Sequence, residues 1–203
     1  MKRSIDALLI SAGYSGRMGD FKPLLKIKDK TFLQIIIEKL LLVCNKVVVV
    51  TGYRNDEIEK EIENMKLKNP ILFGFVTCVY NENYHNGMFT SIQKGIQSLE
   101  NSNWVLFHFV DQPLIPNDFY IELVNQVDNN YDWIQPVFNF TNGHPVVFRN
   151  TIFDKVISAP FNFKMQLIRD DDSVKKKFWI SSYPEILHDF DTKEDFTNFF
   201  ENQ

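Results

Sequence analysis

Cysteine is nearly absent from this chain: the 203 residues hold two, Cys44 and Cys78. They lack metal-ligand spacing and each sits among apolar neighbours. Buried, reduced thiols are therefore expected, and the cytoplasm is the natural compartment. No apolar run is long enough to span a bilayer, and Met1-Lys2-Arg3 leads into a segment containing Asp6 rather than into a secretory apolar region. No membrane partner is expected. An excess of positive charge is also missing. The formal net charge of −4 argues against a broad nucleic-acid footprint and leaves anion binding to local cations. No convincing Ser/His/Asp or Cys/His set occurs, so no enzyme nucleophile is expected. Internal repeats, low-complexity tracts and linkers are absent, which predicts one domain over residues 1–203.

What the chain does have is apolar bulk. Hydrophobic residues make up 44% of it, with 19 phenylalanines, enough to bury the core of an α/β domain. Strand-like and helix-like patterns alternate from end to end. Residues 5–11, 46–51, 73–80, 104–110, 133–138 and 145–148 read as strands. The unbroken Val47-Val48-Val49-Val50 run suits a strand covered on both faces. Residues 31–44, 55–65, 90–99 and 117–127 read as helices, the first opened by a Thr31/Gln34 capping box; Thr192 with Asp195 caps a last helix. Such alternation builds right-handed βαβ units, hence an α/β, three-layer fold with a mainly parallel sheet and helices on both faces. Ligands gather beyond the carboxyl ends of such strands. Residues 131–158 are the expected substrate-facing insertion.

An apolar run, Ala7 to Ile10, feeds directly into a loop holding Gly13, Gly16 and Gly19, with two cations, Arg17 and Lys22, closed by Pro23. Glycines permit φ > 0 and close approach of N–H groups to a ligand, so the loop predicts an anion nest for a triphosphate, with Lys22 a solvent-facing cation. No Gly-Lys dipeptide exists for a Walker A loop, and the dinucleotide fingerprint fails at Ser15. Asp111, ending an apolar strand ahead of Gln112-Pro113, suits a hard-cation ligand or a turn residue. Asn81 and Ser91 either hydrogen-bond a base or ribose or merely flank a helix start. His144, between Gly143 and Pro145, reads as a site residue. His108 reads as a satisfied core side chain, His188 as structural, and His85 has no assigned role. Asp170-Asp171-Asp172 reads as a solvated turn.

Leu9 through Leu25 resembles the signature Leu-x-Ala-Gly-x-Ser-x-Arg-Met-Gly-x-x-Lys-x-Leu-Leu of nucleotidyltransferases of the molybdenum cofactor cytidylyltransferase type. Three further elements resemble that family in order: Asn81 with Gly87-Met88 and Ser91-Ile92, Asp111-Gln112-Pro113, and Gly143-His144-Pro145-Val146-Val147-Phe148. A fourth, Asp189-Phe190-Asp191-Thr192-Lys193-Glu194-Asp195, resembles the family's terminal Asp-Ile-Asp-Thr-Pro-Glu-Asp, with Lys193 in place of Pro.

The resemblance implies a Rossmann-like fold of the nucleotide-diphospho-sugar transferase type and Mg²⁺-dependent transfer of CMP from CTP to molybdopterin. By it, Ser11, Ala12, Gly13, Ser15, Gly16, Arg17, Met18, Gly19, Lys22, Asn81 and Ser91 bind nucleotide. Arg17, Lys22 and Asp111 are catalytic, His144 faces the second substrate, and Asp111 holds the metal. Asp191 is either a second metal carboxylate or, with Thr192, the opening of the last helix. Ala12-Gly13 favours cytidine, since guanylyltransferase relatives resemble Leu-Ala-Gly-Gly. A molybdenum hydroxylase or its accessory protein is the implied partner. Relatives acting on sugars, alditols or isoprenoid precursors share the scaffold. A non-catalytic carrier of the cofactor is the alternative of another class, against which Lys22 and Asp111 speak.

Overall fold

The computed structural model describes residues 4–16 and 18–201, with side chains through residue 197. Strand β1 (Ile5–Ser11) is buried along its whole length. A short hairpin, β2 (Lys26–Ile27) and β3 (Lys30–Thr31), leads to helix α1 (Phe32–Val43). Thr31 caps that helix by accepting from the Gln34 N–H at 3.1 Å. The Gln34 side chain runs along the helix, its Nε2 donating to Glu38 Oε1 at 3.0 Å. Next come β4 (Val47–Thr51), α2 (Asn55–Lys68), α3 (Pro70–Phe73) and β5 (Val76–Tyr80). The strand expected over 73–80 thus starts later. Pro70 is preset for a first helical turn, and Asn69 Oδ1 accepts from Leu72 N, so the chain winds into α3 first.

Helix α4 (Met88–Ser98) precedes β6 (Trp104–Phe109), α5 (Asn117–Asn125), β7 (Trp133–Phe138), β8 (Thr141–Asn142) and β9 (Val146–Arg149). Then follow α6 (Phe153–Ser158), α7 (Met165–Asp170), β10 (Lys176–Ile180) and α8 (Lys193–Glu201). The cap expected for α8 is reciprocal: Asp195 N donates to Thr192 Oγ1 and Thr192 N to Asp195 Oδ2.

The main sheet runs β10-β7-β9-β6-β1-β4-β5, with β8 paired to β7. All neighbours along that path are parallel except β9, which is antiparallel to both β6 and β7. Residues 131–158 are therefore not an insertion on the sheet. They supply two of its inner strands, since Val146–Phe148 is as apolar and buried as β1. The period of two divides the strands between two cores. Ile5, Ala7 and Leu9 face α1, α2 and α5, while Leu8 and Ile10 face α4, α6 and α7. Val47 and Val49 join the first face, Val48 and Val50 the second. Among the described residues no helix is long and apolar enough to cross a membrane. Cys44 and Cys78 are free thiols; burial raises both, Cys78 to about 11.

His108 is fully buried, as its apolar strand implies. Its Nδ1 lies 2.6 Å from the Phe109 carbonyl, which only accepts, so Nδ1 carries the proton and Nε2 accepts from Tyr120 Oη at 2.7 Å. Burial lowers its pKa to about 3. The unfolded chain, titrating near 6.5, binds the extra proton between those values. Stability from this group is thus complete above pH 6.5 and falls by about 1.4 kcal/mol per unit as pH drops towards 3. Urea unfolding from pH 7 to 4 should show a shallower loss in His108→Phe than in the wild type. Equal slopes would remove His108 from the acid transition.

Candidate active site

Strand topology brings three chain segments to one edge. The loop after β1 and the segment after β6 emerge side by side, since Ile10 pairs with Phe109. Because β9 is reversed, its beginning lies where the parallel strands end: Val146 pairs with Phe107, so Gly143 and His144 emerge at that edge too. The terminal segment is tied on by Phe190 N donating to the Asp111 carbonyl at 2.9 Å. That single backbone bond brings Asp191 opposite Asp111.

A cavity of about 420 Å³ opens there. Ser11, Ala12, Gly13, Ser15, Lys22, Ser91 and Asp111 line it, as expected. Tyr14, Tyr84, His85 and Met88 line it as well; Met88 belongs to a motif read in the sequence, but none of the four carries an expected role. The Tyr14 ring lies 5.2 Å from Tyr53 and 5.4 Å from Tyr84, an aromatic group with no pattern in the chain. Gly52, also unnoticed, is a true close approach: a Cβ there would sit 2.8 Å from the Ala12 carbonyl oxygen.

Other expected nucleotide residues stand elsewhere. Gly16, Met18, Gly19 and Asn81 do not line the cavity. Met18 is buried in a small cluster with Phe32 and Phe190 that seats the loop against α1. Asn81 is buried, its amide donating to Thr90 Oγ1 and Ser91 Oγ, both at 2.9 Å, so it braces the start of α4. Of the three loop glycines only Gly19 has positive φ (+75°); Ser15 takes the other left-handed position at φ 53°. Gly13 and Gly16 have open space where a Cβ would be, which suits close ligand approach rather than turning. Arg17 lies outside the described residues.

The charged centre differs most from expectation. Lys22 is buried, 9% exposed, not solvent-facing. Its backbone N–H donates to Ser15 Oγ at 3.1 Å, and Pro23 fixes the turn that follows. Lys22 Nζ donates to Asp191 Oδ1 at 2.8 Å and stands 3.6 Å from Asp111 Oδ2. Burial, with Asp189 and Asp191 nearby, pushes the Asp111 carboxyl up to about 6 against the pull of Lys22. Asp111 Oδ1 is buried and accepts from no group. On the far side, Lys39 of α1 donates to the carbonyls of Pro113 and Ile115, fixing the loop that carries Asp111.

Among the described residues no three His, Cys, Asp or Glu side chains stand together as a ready-made metal site. The donor set still fits a hard cation. Mg²⁺ takes one or two carboxylates and completes its shell with phosphate and water oxygens, and Asp111 Oδ1 is an unused oxygen donor beside Asp191. Ser11 Oγ is likewise buried on the cavity wall with no partner.

Backbone N–H groups, a buried ammonium and two carboxylates at the carboxyl edge of a parallel sheet define a nucleotidyltransferase centre. Residues 7–171 match the MobA-like NTP transferase domain, and the chain belongs to that family. It is 28% identical over 196 residues to the molybdenum cofactor cytidylyltransferase of Escherichia coli (strain K12), covering 95% of this chain and 94% of that one. A probable molybdenum cofactor guanylyltransferase of Bacillus mycoides (strain KBAB4) is 24% identical over 65% of this chain and 61% of its own. In structure the chain is similar to a nucleotidyl transferase from Methanothermobacter thermautotroptrophicus, with a TM-score of 0.78 at 18% identity, covering 98% and 97% of the two chains. At that identity the likeness shows the fold alone.

Proposed function

We propose that the chain, as a single catalytic domain, transfers CMP from CTP to the terminal phosphate of molybdopterin and releases pyrophosphate. The observation that carries it is the buried Lys22 ammonium held between Asp111 and Asp191 at the mouth of the β1 loop. A phosphate oxygen of the acceptor attacks the α-phosphorus in line, the bond from that phosphorus to the β-phosphate bridging oxygen breaks, and pyrophosphate leaves with the electron pair. The acceptor phosphate is already anionic near neutral pH, so the step needs no enzyme nucleophile or general base. The residues supply position and charge.

Lys22 turns from Asp191 to the α-phosphate and the incoming phosphate, offsetting their repulsion. The loop N–H groups from Gly13 onwards receive the triphosphate, and Arg17 takes its β- and γ-phosphates, an assignment resting on sequence. Asp111 and Asp191 hold Mg²⁺, which when bound supplies charge neutralisation at the phosphate oxygens. Ser11 offers its unpartnered hydroxyl to the nucleoside. Free thiols, Cys44 buried and Cys78 half-buried, suit a reducing compartment such as the cytoplasm. A molybdenum hydroxylase or its accessory protein would receive the product.

The test is pyrophosphate release with CTP, Mg²⁺ and molybdopterin, with phosphorylated sugars, alditols and isoprenoid precursors as alternative acceptors. Release with molybdopterin alone is expected; release only with another acceptor overturns the acceptor assignment. CTP should also bind more tightly than GTP, because the Tyr14 ring stands on the cavity wall where the Leu-Ala-Gly-Gly of guanylyltransferase relatives has its second glycine. Calorimetric titration with each nucleotide in Mg²⁺ checks this, and tighter GTP binding would sink the cytidylyl reading.

A further inference from the structure

The nucleotide cavity does not end at Ser91. Gly87, Met88 and Phe109 are shared with a second cavity of about 510 Å³. His144, Met165 and Gln166 are shared between that one and a third of about 300 Å³, closed by Trp133, Gln135 and Arg169. Sharing these walls, the three lie in series from Lys22 to Arg169, and the middle and third differ in chemistry.

The middle cavity is aromatic. Phe89, Phe107, Phe109, Phe161 and Phe163 wall it, and among its described lining residues Lys164 is the one permanently charged side chain. Phe161 is 60% exposed and Met88 57%, so apolar wall faces the open cavity rather than core. Stacked and edge-on rings of this kind favour a flat aromatic body.

The third cavity is polar, and two of its groups have capacity to spare. His144 is half-buried, its Nδ1 covered and unpartnered. Its ring is fixed edge-on against Phe109, centroids 4.9 Å apart, and burial lowers it to about 4, so it is a neutral imidazole at physiological pH. Arg169 Nε and Nη2 donate to Asp170 at 2.7 and 2.9 Å, and Nη1 reaches Gln135 Oε1 at 3.5 Å. Of the five guanidinium N–H donors, two remain after these three. Gln135 itself is fully used: its amide donates to the Gly143 and Pro136 carbonyls while Oε1 accepts from Trp133 Nε1. It holds the turn that presents His144.

Charge decides the kind of ligand. Asp170 neutralises Arg169, and His144 is uncharged, so the third cavity offers hydrogen bonds without net attraction for an anion. A carboxylate or phosphate would gain little here, whereas a ring edge carrying a carbonyl and ring nitrogens matches spare N–H donors beside an imidazole nitrogen. We propose that the third cavity reads the hydrogen-bonding edge of an uncharged pterin ring held between the phenylalanines of the middle cavity, with His144 and Arg169 as the reading groups. The inference rests on the nucleotidyl-transfer reading for its direction, phosphate end towards Lys22 and ring end towards Arg169. It makes helix α7 and its Arg169, which belong to none of the motif segments, determinants of acceptor choice.

The probe is 6-hydroxymethylpterin, which has the ring and no phosphate, followed by quenching of its fluorescence as full-length protein is added. It should bind equally well with and without saturating CTP. Arg169→Met and His144→Phe should each weaken it about ten-fold, the loss of one hydrogen bond to a charged or buried partner, with CTP affinity unchanged. Retained CTP affinity also shows that each variant is folded. Displacement of the probe by CTP, wild-type affinity in both variants, or no binding to the wild type overturns the inference. If instead CTP fails to bind the wild type while the probe binds and both variants weaken it, the nucleotidyl-transfer reading falls and the ring site stands.

Discussion

Lys22→Ala is expected to lower turnover with CTP by about a hundred-fold or more, the loss that follows removal of one preorganised electrostatic donor. Preorganisation is visible in how the lysine is held. Its backbone is fixed through Ser15 Oγ, and its ammonium is buried against two carboxylates. An ammonium in that setting acts through a low local dielectric, so its charge is worth far more to a phosphate than that of a surface lysine. Stability changes too. Removing the ammonium leaves Asp111 and Asp191 facing each other uncompensated, which destabilises the metal-free protein at neutral pH. Lys22→Met keeps the aliphatic stem and so limits packing loss, and the two variants should lose turnover alike. Steady-state pyrophosphate release at saturating CTP, on protein shown folded by circular dichroism, gives the answer. Near-wild-type turnover in Lys22→Met would take Lys22 out of the phosphate clamp.

Much of this fold was legible because burial on both faces writes itself into composition. β4 is an apolar run up to its terminal Thr51, β1 is one over residues 7–10 and β6 is one apart from His108, and the capping residues Thr31 and Thr192 mark the starts of α1 and α8. β10 was not legible. Its Lys176-Lys177-Phe178-Trp179-Ile180 run belongs to an edge strand with one neighbour, where lysines and half-buried aromatics are tolerated. The reversal of β9 was equally hidden, because an apolar run carries no direction. Within the site, the glycine loop and Asp111 were found from type and spacing. What escaped depends on contacts between distant segments. Lys22 is buried because Asp191, 169 residues away, closes over it. Asp189 perturbs Asp111 only because Phe190 is bonded to the Asp111 carbonyl. Arg169 was passed over beside an acidic triplet that looked like a solvated turn. The triplet does lie at the surface, but Asp170 tempers the charge of a largely covered guanidinium.

Asp111→Asn should abolish most turnover while making the metal-free protein more stable, an opposition that a mere turn residue would not produce. The sign follows from the raised carboxyl. Its folded pKa is about 6 against an ordinary value near 3.8, so between those values the folded chain binds the extra proton. Stability therefore falls as pH rises through that window, and the full penalty is present at pH 7 and above. Two units correspond to about 2–3 kcal/mol, which the neutral amide does not incur. Asparagine keeps the shape and one oxygen but not the negative charge that a hard cation needs, so CTP should still bind through Lys22 and the loop N–H groups while the Mg²⁺ requirement rises. Thermal melts at pH 5 and pH 7.5 without metal, repeated with a Mg²⁺ titration of residual pyrophosphate release, separate the effects. The variant should gain on the wild type at pH 7.5 and much less at pH 5, where the wild-type carboxyl is mostly protonated. A rate whose Mg²⁺ dependence is unchanged would assign the cation to Asp191 without Asp111. A variant that loses stability at pH 7.5 would mean that Lys22 holds Asp111 as a structural ion pair, with no carboxylate kept at a cost for catalysis.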